Sequence, residues 1–129
     1  MLNRSNIIKE TAVAPSQILF NVQNQMSVGV IVDKTVGTAG EDGRKIVKAG
    51  TPLNGDLTAR GTAFVAAKDT SNPAVGVLLH DVDVTDGNAN GTLLIWGFVN
   101  LNRMDSTTAG FITANRKTEL AGRVWFLKD

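Results

Sequence analysis

The chain has 129 residues, 43% hydrophobic and 19% charged, a balance that predicts one globular domain with a modest core and excludes global disorder. Thirteen basic residues against twelve acidic leave a net charge of +1, too small a cationic surplus for general binding to nucleic acid or to an anionic membrane surface. The absence of cysteine excludes disulfides and thiolate metal sites, no segment approaches the apolar length that spans a bilayer, and the opening MLNRSNIIKE lacks the apolar stretch of a secretory signal.

Residues 1–25 are polar, glycine-free and without a sustained period. Pro15 removes a backbone donor and pushes Ala14 towards extended geometry. This stretch is expected to form an extended N-terminal arm, with Ile7, Ile8, Ile18, Leu19 and Phe20 as the residues that dock it on a partner's strand edge. Residues 26–129 form the expected single β-rich domain. Its first strand covers Val28–Val32. Thr35–Gly43 is turn-rich, with Asp42-Gly43 as a hairpin signal. Arg44–Lys48 reads as a short strand, Pro52 and Gly55 as a further turn, Gly61–Lys68 as a strand and residues 69–73 as a loop.

The run from Ala74 to Leu101 is the most informative. Val75, Val77 and Leu79 on one side, and Leu94 and Trp96 on the other, predict two strands; Asp86 to Gly91 predict the loop between them. Near the C-terminus the period changes. Thr113 is placed to cap a helix of about two turns over Ala114–Leu120, with Gly122 ending it, and Val124–Leu127 is a last strand. Six or so short strands at spacings near ten residues, with one short C-terminal helix, predict a mainly β fold: a small sandwich or barrel-like domain.

No set of residues with catalytic spacing emerges. Asp86-x-Asn88-x-Asn90-Gly91 copies the first half of a calcium loop, but the twelfth position is Gly97 where a bidentate Glu is needed, and hairpin turns want Asp, Asn and Gly in any case. Asp81 and Asp83 share one strand face, with Val82 and Val84 on the other, which reads as a solvated or intersubunit polar face. His80 is the single histidine, and no serine lies in a nucleophile-elbow context. Gly37, Gly40 and Gly43 before Arg44 and Lys45 miss the phosphate-loop spacing. No enzyme activity, metal or cofactor is therefore expected. The aromatics Trp96, Phe98, Trp125 and Phe126 are assigned to core or subunit packing. Trp125 and Phe126 are adjacent, so on a strand they face opposite ways, and one of them needs a second surface to cover it.

The segment AVGVLLHDVDVTDGNANGTLLIWGFVNL resembles small tailed-bacteriophage head proteins of the lambda-type capsid-decoration family. VGVIVDKT, KIVKAGTPLNGDL and ITANRKTELAGRVWFLK extend that resemblance over about residues 28–127. It implies a β-rich homotrimer at the three-fold and quasi-three-fold positions of the expanded shell. It also implies an arm, residues 1–25 here, that contacts the major capsid protein and adds β-pairing. The expected function is thus a structural virion protein that stabilises the head, made in the host cytoplasm and carried on the capsid exterior, without direct contact to nucleic acid or membrane. The alternative expectation is a ligand- or receptor-binding β-module, such as a head-fibre base or a carbohydrate-binding domain.

Overall fold

The computed structural model describes residues 17–128, which form a mainly β domain with two short helices. Its spine is β7 (Ala89–Asn100), twelve residues long and rich in the β-branched, aromatic and leucine side chains that suit a pleated surface. The first strand, β1 (Met26–Val32), runs antiparallel along one flank of it, with Val28 opposite Leu93 and Val32 opposite Ala89. On the other flank lie β5 (Gly76–Leu78), antiparallel with Val77 opposite Leu94, and further along β8 (Val124–Leu127), parallel with Phe98 opposite Trp125. The sheet continues from β5 to β3 (Pro52–Asn54) and then to β4 (Val65–Ala66).

Phe64, just ahead of β4, bridges back to Val32 of β1: its amide donates to the Ile31 carbonyl at 2.7 Å, and its carbonyl accepts from the Asp33 amide at 2.9 Å. That bridge joins the β4 end of the sheet back to the end of β1, so the sheet curls into a barrel-like closure at Val32. The short antiparallel pair β2 (Ile46–Val47) and β6 (Val82–Asp83) forms a separate two-stranded sheet.

Two cores flank the spine. Phe64, Leu53, Leu78, Val32, Val84 and Leu93 belong to one, the barrel interior. Leu94, Val77, Val99, Leu120, Val124 and Ile112 belong to the other, under the helices. Adjacent Leu93 and Leu94 are both fully buried, which is why the centre of β7 reads as an unbroken apolar run. Between Met26 and Ser27 the register jumps from Trp96 to Leu94, leaving Ile95 as the extra residue of a β-bulge.

The helices are α1 (Ser106–Ala109), whose N-cap Asp105 accepts from the Thr108 amide, and α2 (Ala114–Glu119), whose N-cap Thr113 accepts from the Arg116 amide. The chain then turns at Gly122, which sits at φ +82°, a conformation that favours glycine.

Several expectations need correction. The chain joins the domain at Ile18 rather than at residue 26. Ile18 and Leu19 are 1% and 2% exposed, Leu19 bridges to Val99, and the Asn100 and Phe20 amides donate to the Ile18 and Phe98 carbonyls. They occupy the flank of β7 beyond the start of β1, so these two residues are core residues and not docking residues of a free arm. Pro52 begins a strand instead of making a turn; the first strand position tolerates its missing donor, and its carbonyl accepts from the Ala67 amide at 3.1 Å. Ala89, Asn90 and Gly91 belong to β7 and not to a loop. Gly91 faces the crowded barrel interior, where a Cβ would lie 3.0 Å from Leu78, Val32 and Val82, so the position demands glycine for space. The expected hairpin is interrupted, because β6 lies between its two strands and pairs with β2. Finally, α1 adds a helix that its four-residue length hides from a periodicity reading.

Candidate interaction surface

Four short turns share one local rule. Asp33, Asp56, Asp69 and Asp83 each precede a Thr or Ser by two residues, and one carboxylate oxygen accepts both that residue's amide and its hydroxyl. The amide of Thr35, and the hydroxyls of Thr58, Ser71 and Thr85, are the largest influences on these carboxyls and hold all four below the ordinary aspartate value. The Asp-x-Thr/Ser spacing was available in the sequence as a turn signal. Asp81 is likewise structural: it accepts from the Ala49 amide at 2.8 Å and lies 3.6 Å from Lys48. Val82 and Val84 point inward and Asp81 and Asp83 outward, as strand alternation requires, and His80 is exposed beside them. The Asn88 side-chain Oδ1 accepts from the Lys34 amide at 2.8 Å, so a hydrogen bond occupies that position of the calcium-like spacing. Among the described residues no group of three or more His, Asp or Glu side chains converges to hold a metal ion.

The distinctive surface is aromatic. Phe98 and Trp125 are register partners on β7 and β8, and their rings stack at 5.0 Å with 19° between planes. Trp96, two residues earlier on β7, meets Phe98 edge-on at 5.9 Å and Trp125 edge-on at 5.9 Å. Such pairs are worth roughly 0.5–1.5 kcal/mol each and fix the rings as one ridge. The ridge is not covered: Trp96 is 39% and Trp125 38% exposed, and Phe98 is half-buried. Met26, opposite Trp96, and Leu127, two residues past Trp125, extend it. Phe20, beside Phe98 by register, is also exposed. Among the described residues seven large hydrophobics are exposed; six of them (Phe20, Val22, Met26, Trp96, Trp125 and Leu127) belong to this end of the spine and its flanking segment. Contiguous apolar exposure of this kind marks a protein-interaction site. Phe126 turns the other way and packs on the helix-side core. Ile7 and Ile8 lie outside the described residues.

The seventh exposed hydrophobic, Phe111, stands apart, in the turn between α1 and α2. Clefts of about 320 and 180 Å³ open on either side of it, sharing Val36, Thr38 and Thr51 as wall. The larger has an apolar side of Pro52, Ala66, Ala67 and Phe111 and two cations, Lys68 and Arg116; no carboxylate among the described residues lines it. Arg116 is 3% exposed and held from three directions. Its Nε and Nη2 donate to the two oxygens of Glu119 at 2.7 and 2.8 Å, and Nη1 donates to the Ala67 carbonyl at 3.0 Å. Glu119 also accepts from the Ala74 amide at 2.8 Å. Burial is the largest single influence on Glu119 and opposes its ionisation, but the Arg116 hydrogen bonds, the Ala74 amide and the Arg116 charge together hold its carboxyl below the ordinary range.

No helix among the described residues is long and apolar enough to cross a membrane. No protein-family model matches the chain, and no curated protein matches it.

Proposed function

We propose that this chain is a structural subunit of a tailed-phage head, a homotrimer that binds the outside of the capsid lattice and stabilises the expanded shell. The observation that carries the reading is the uncovered ridge of Trp96, Phe98 and Trp125 with its apolar surround, set on a barrel-like sheet. A rigid barrel with one large apolar face is built to be covered by protein. The resemblance of residues 28–127 to capsid-decoration proteins supplies the identity of the lattice. Three copies joined in one trimer would bind a repeating surface with avidity, so no single contact has to be strong. A net charge of +1 keeps attraction to packaged DNA small.

The exposed tryptophans also favour the second reading, a carbohydrate- or receptor-binding module. A sugar platform offers a flat ring face beside polar groups. Here Phe98 and Trp125 spend one face each on the other, and Met26, Leu127 and Phe20 border them, which favours a protein partner.

The test is co-sedimentation of the purified chain with expanded, undecorated phage shells, beside light scattering of the free protein. The reading expects a trimer that saturates the shells. A second arm removes residues 1–16, stopping short of the core residues Ile18 and Leu19. A truncated protein that still forms trimers but no longer coats shells separates attachment from assembly. A monomer indifferent to shells refutes the proposal, and a glycan-array signal lost in Trp96→Ala replaces it with the second reading.

A further inference from the structure

We infer that copies of this chain join head to tail, the Trp96–Phe98–Trp125 ridge of one copy seated in the Phe111 cleft of the next. The inference deepens the trimeric reading above and takes its ring size from it. A two-fold pair needs one self-complementary patch, but a three-fold ring needs two different patches on every subunit, one facing each way round the ring. The described surface carries two. Six of the seven exposed large hydrophobics lie on the ridge or the chain segments flanking it, and Phe111 stands alone at the cleft.

The two patches are complementary in charge as well as in apolarity. Aromatic faces carry negative π-density and attract cations. The cleft of about 320 Å³ offers the exposed Lys68 as its available cation, beside an apolar wall, while the charge of the buried Arg116 is already answered by Glu119. Glu119 fixes the Arg116 guanidinium before any partner arrives, so little side-chain freedom remains to be lost there on docking. The ridge is equally preorganised, because its three rings already pack on one another. A ridge docked on a second ridge would bring like faces together and leave Phe111 uncovered.

The experiment is complementation of two surface variants, Trp125→Ser at the ridge, which removes the central ring without adding a charge, and Phe111→Glu at the cleft, with far-UV circular dichroism as the check on folding. Light scattering is expected to report a trimer for the parent chain and a threefold smaller mass, that of the monomer, for each variant alone. An equimolar mixture is expected to give a one-to-one heterodimer, since the intact ridge of one variant fits the intact cleft of the other and the chain of contacts then stops. Two monomeric variants whose mixture stays monomeric overturn the inference, as does a Phe111→Glu protein that remains trimeric. If either variant unfolds, the cysteine-free background allows a trap instead: the paired substitutions Leu127→Cys and Lys68→Cys in one chain are expected to oxidise into covalent species that stop at three copies, and a product with no intermolecular disulfide overturns the inference. A heterodimer from the mixture with a parent trimer that ignores shells refutes the head-protein reading and leaves this contact standing. Shell binding by a trimer that survives Phe111→Glu does the reverse.

Discussion

Arg116→Met tests whether the buried ion pair holds α2 onto the barrel. The methionine keeps most of the buried volume and removes the charge, so the change isolates electrostatics from packing. It strips both hydrogen bonds from Glu119 and the donor from the Ala67 carbonyl. Breaking a buried pair by removing one partner costs about 3–5 kcal/mol, because the other charge stays behind uncompensated. Glu119 keeps 14% side-chain exposure and its bond from the Ala74 amide, which puts the expected loss at the low end, about 3 kcal/mol. That is a large share of the 5–15 kcal/mol that stabilises an ordinary domain.

The assay is urea unfolding followed by circular dichroism, read as the midpoint at constant slope. Two further features separate this account from a general loss of fit. In the parent, the depressed Glu119 value adds stability above the ordinary glutamate range and loses it as pH falls. In Arg116→Met the orphaned carboxyl is pushed up by burial, so acid relieves the variant while it weakens the parent, and the gap between them narrows towards pH 4 or so. The double change Arg116→Met with Glu119→Leu is expected to recover most of the loss, since replacing both members of a buried pair is far milder than removing one. A single-variant loss under about 1 kcal/mol, or a loss independent of pH, refutes the reasoning.

Three other outcomes are expected. Stability should fall in acid: Asp33, Asp56, Asp69 and Asp83 have folded values below their reference of 3.8, so their contribution is complete above it and disappears as pH drops through the lower folded values. A urea midpoint that rises on acidification contradicts this. Phe64→Ala removes a fully buried ring at the barrel seam and is expected to cost about 3–5 kcal/mol, with faster hydrogen exchange at the Asp33 amide; protection unchanged at that amide argues against the seam. Gly91→Val overpacks the barrel by about 1–3 kcal/mol, whereas Gly29→Val, where a Cβ meets nothing within 4 Å, is expected to be tolerated; calorimetric midpoints that rank the two the other way refute the inward placement of Gly91.

Local chemistry is what made parts of this fold legible. Thr113 is a capping residue followed by helix formers and then Gly122, so α2 is readable from ten neighbouring positions. The tail Val124–Leu127 is a β-rich tetrapeptide after a turn, and its bounds match β8. What remained hidden depends on partners far away in the chain. Leu19 pairs with Val99, Val32 with Phe64, and β8 lies parallel to β7, and no nearby residue records any of these. Polar-looking Asn90 and Gly91 read as loop because their side-chain character says nothing about the strand waiting at Ile31 and Val30. The same limit applies to the candidate surface. Alternation at Trp125 and Phe126 shows that the two must face apart, but only the register of β8 on β7 brings Trp125 to Phe98. The Phe111 cleft is assembled from five separate stretches of chain and had no sequence signal.

The bulge at Ile95 explains why there is a ridge at all. Leu94 belongs to the helix-side core, and in an unbroken strand Trp96 and Phe98 would follow it there. Val99 is in that same core although it lies an odd number of residues from Leu94, so the phase of alternation has flipped between them. Ile95, the extra residue, is where it flips. The flip sends Trp96 and Phe98 away from the helices and into the plane where β8 supplies Trp125 and Leu127, while Val99 fills the core position they vacate. A strand with no outward task would keep its large aromatics inside, where each would add stability by burial. Instead the insertion removes two rings from the core, and three rings are left on the surface, locked together. That is the arrangement expected of a strand whose second half serves a contact with another molecule.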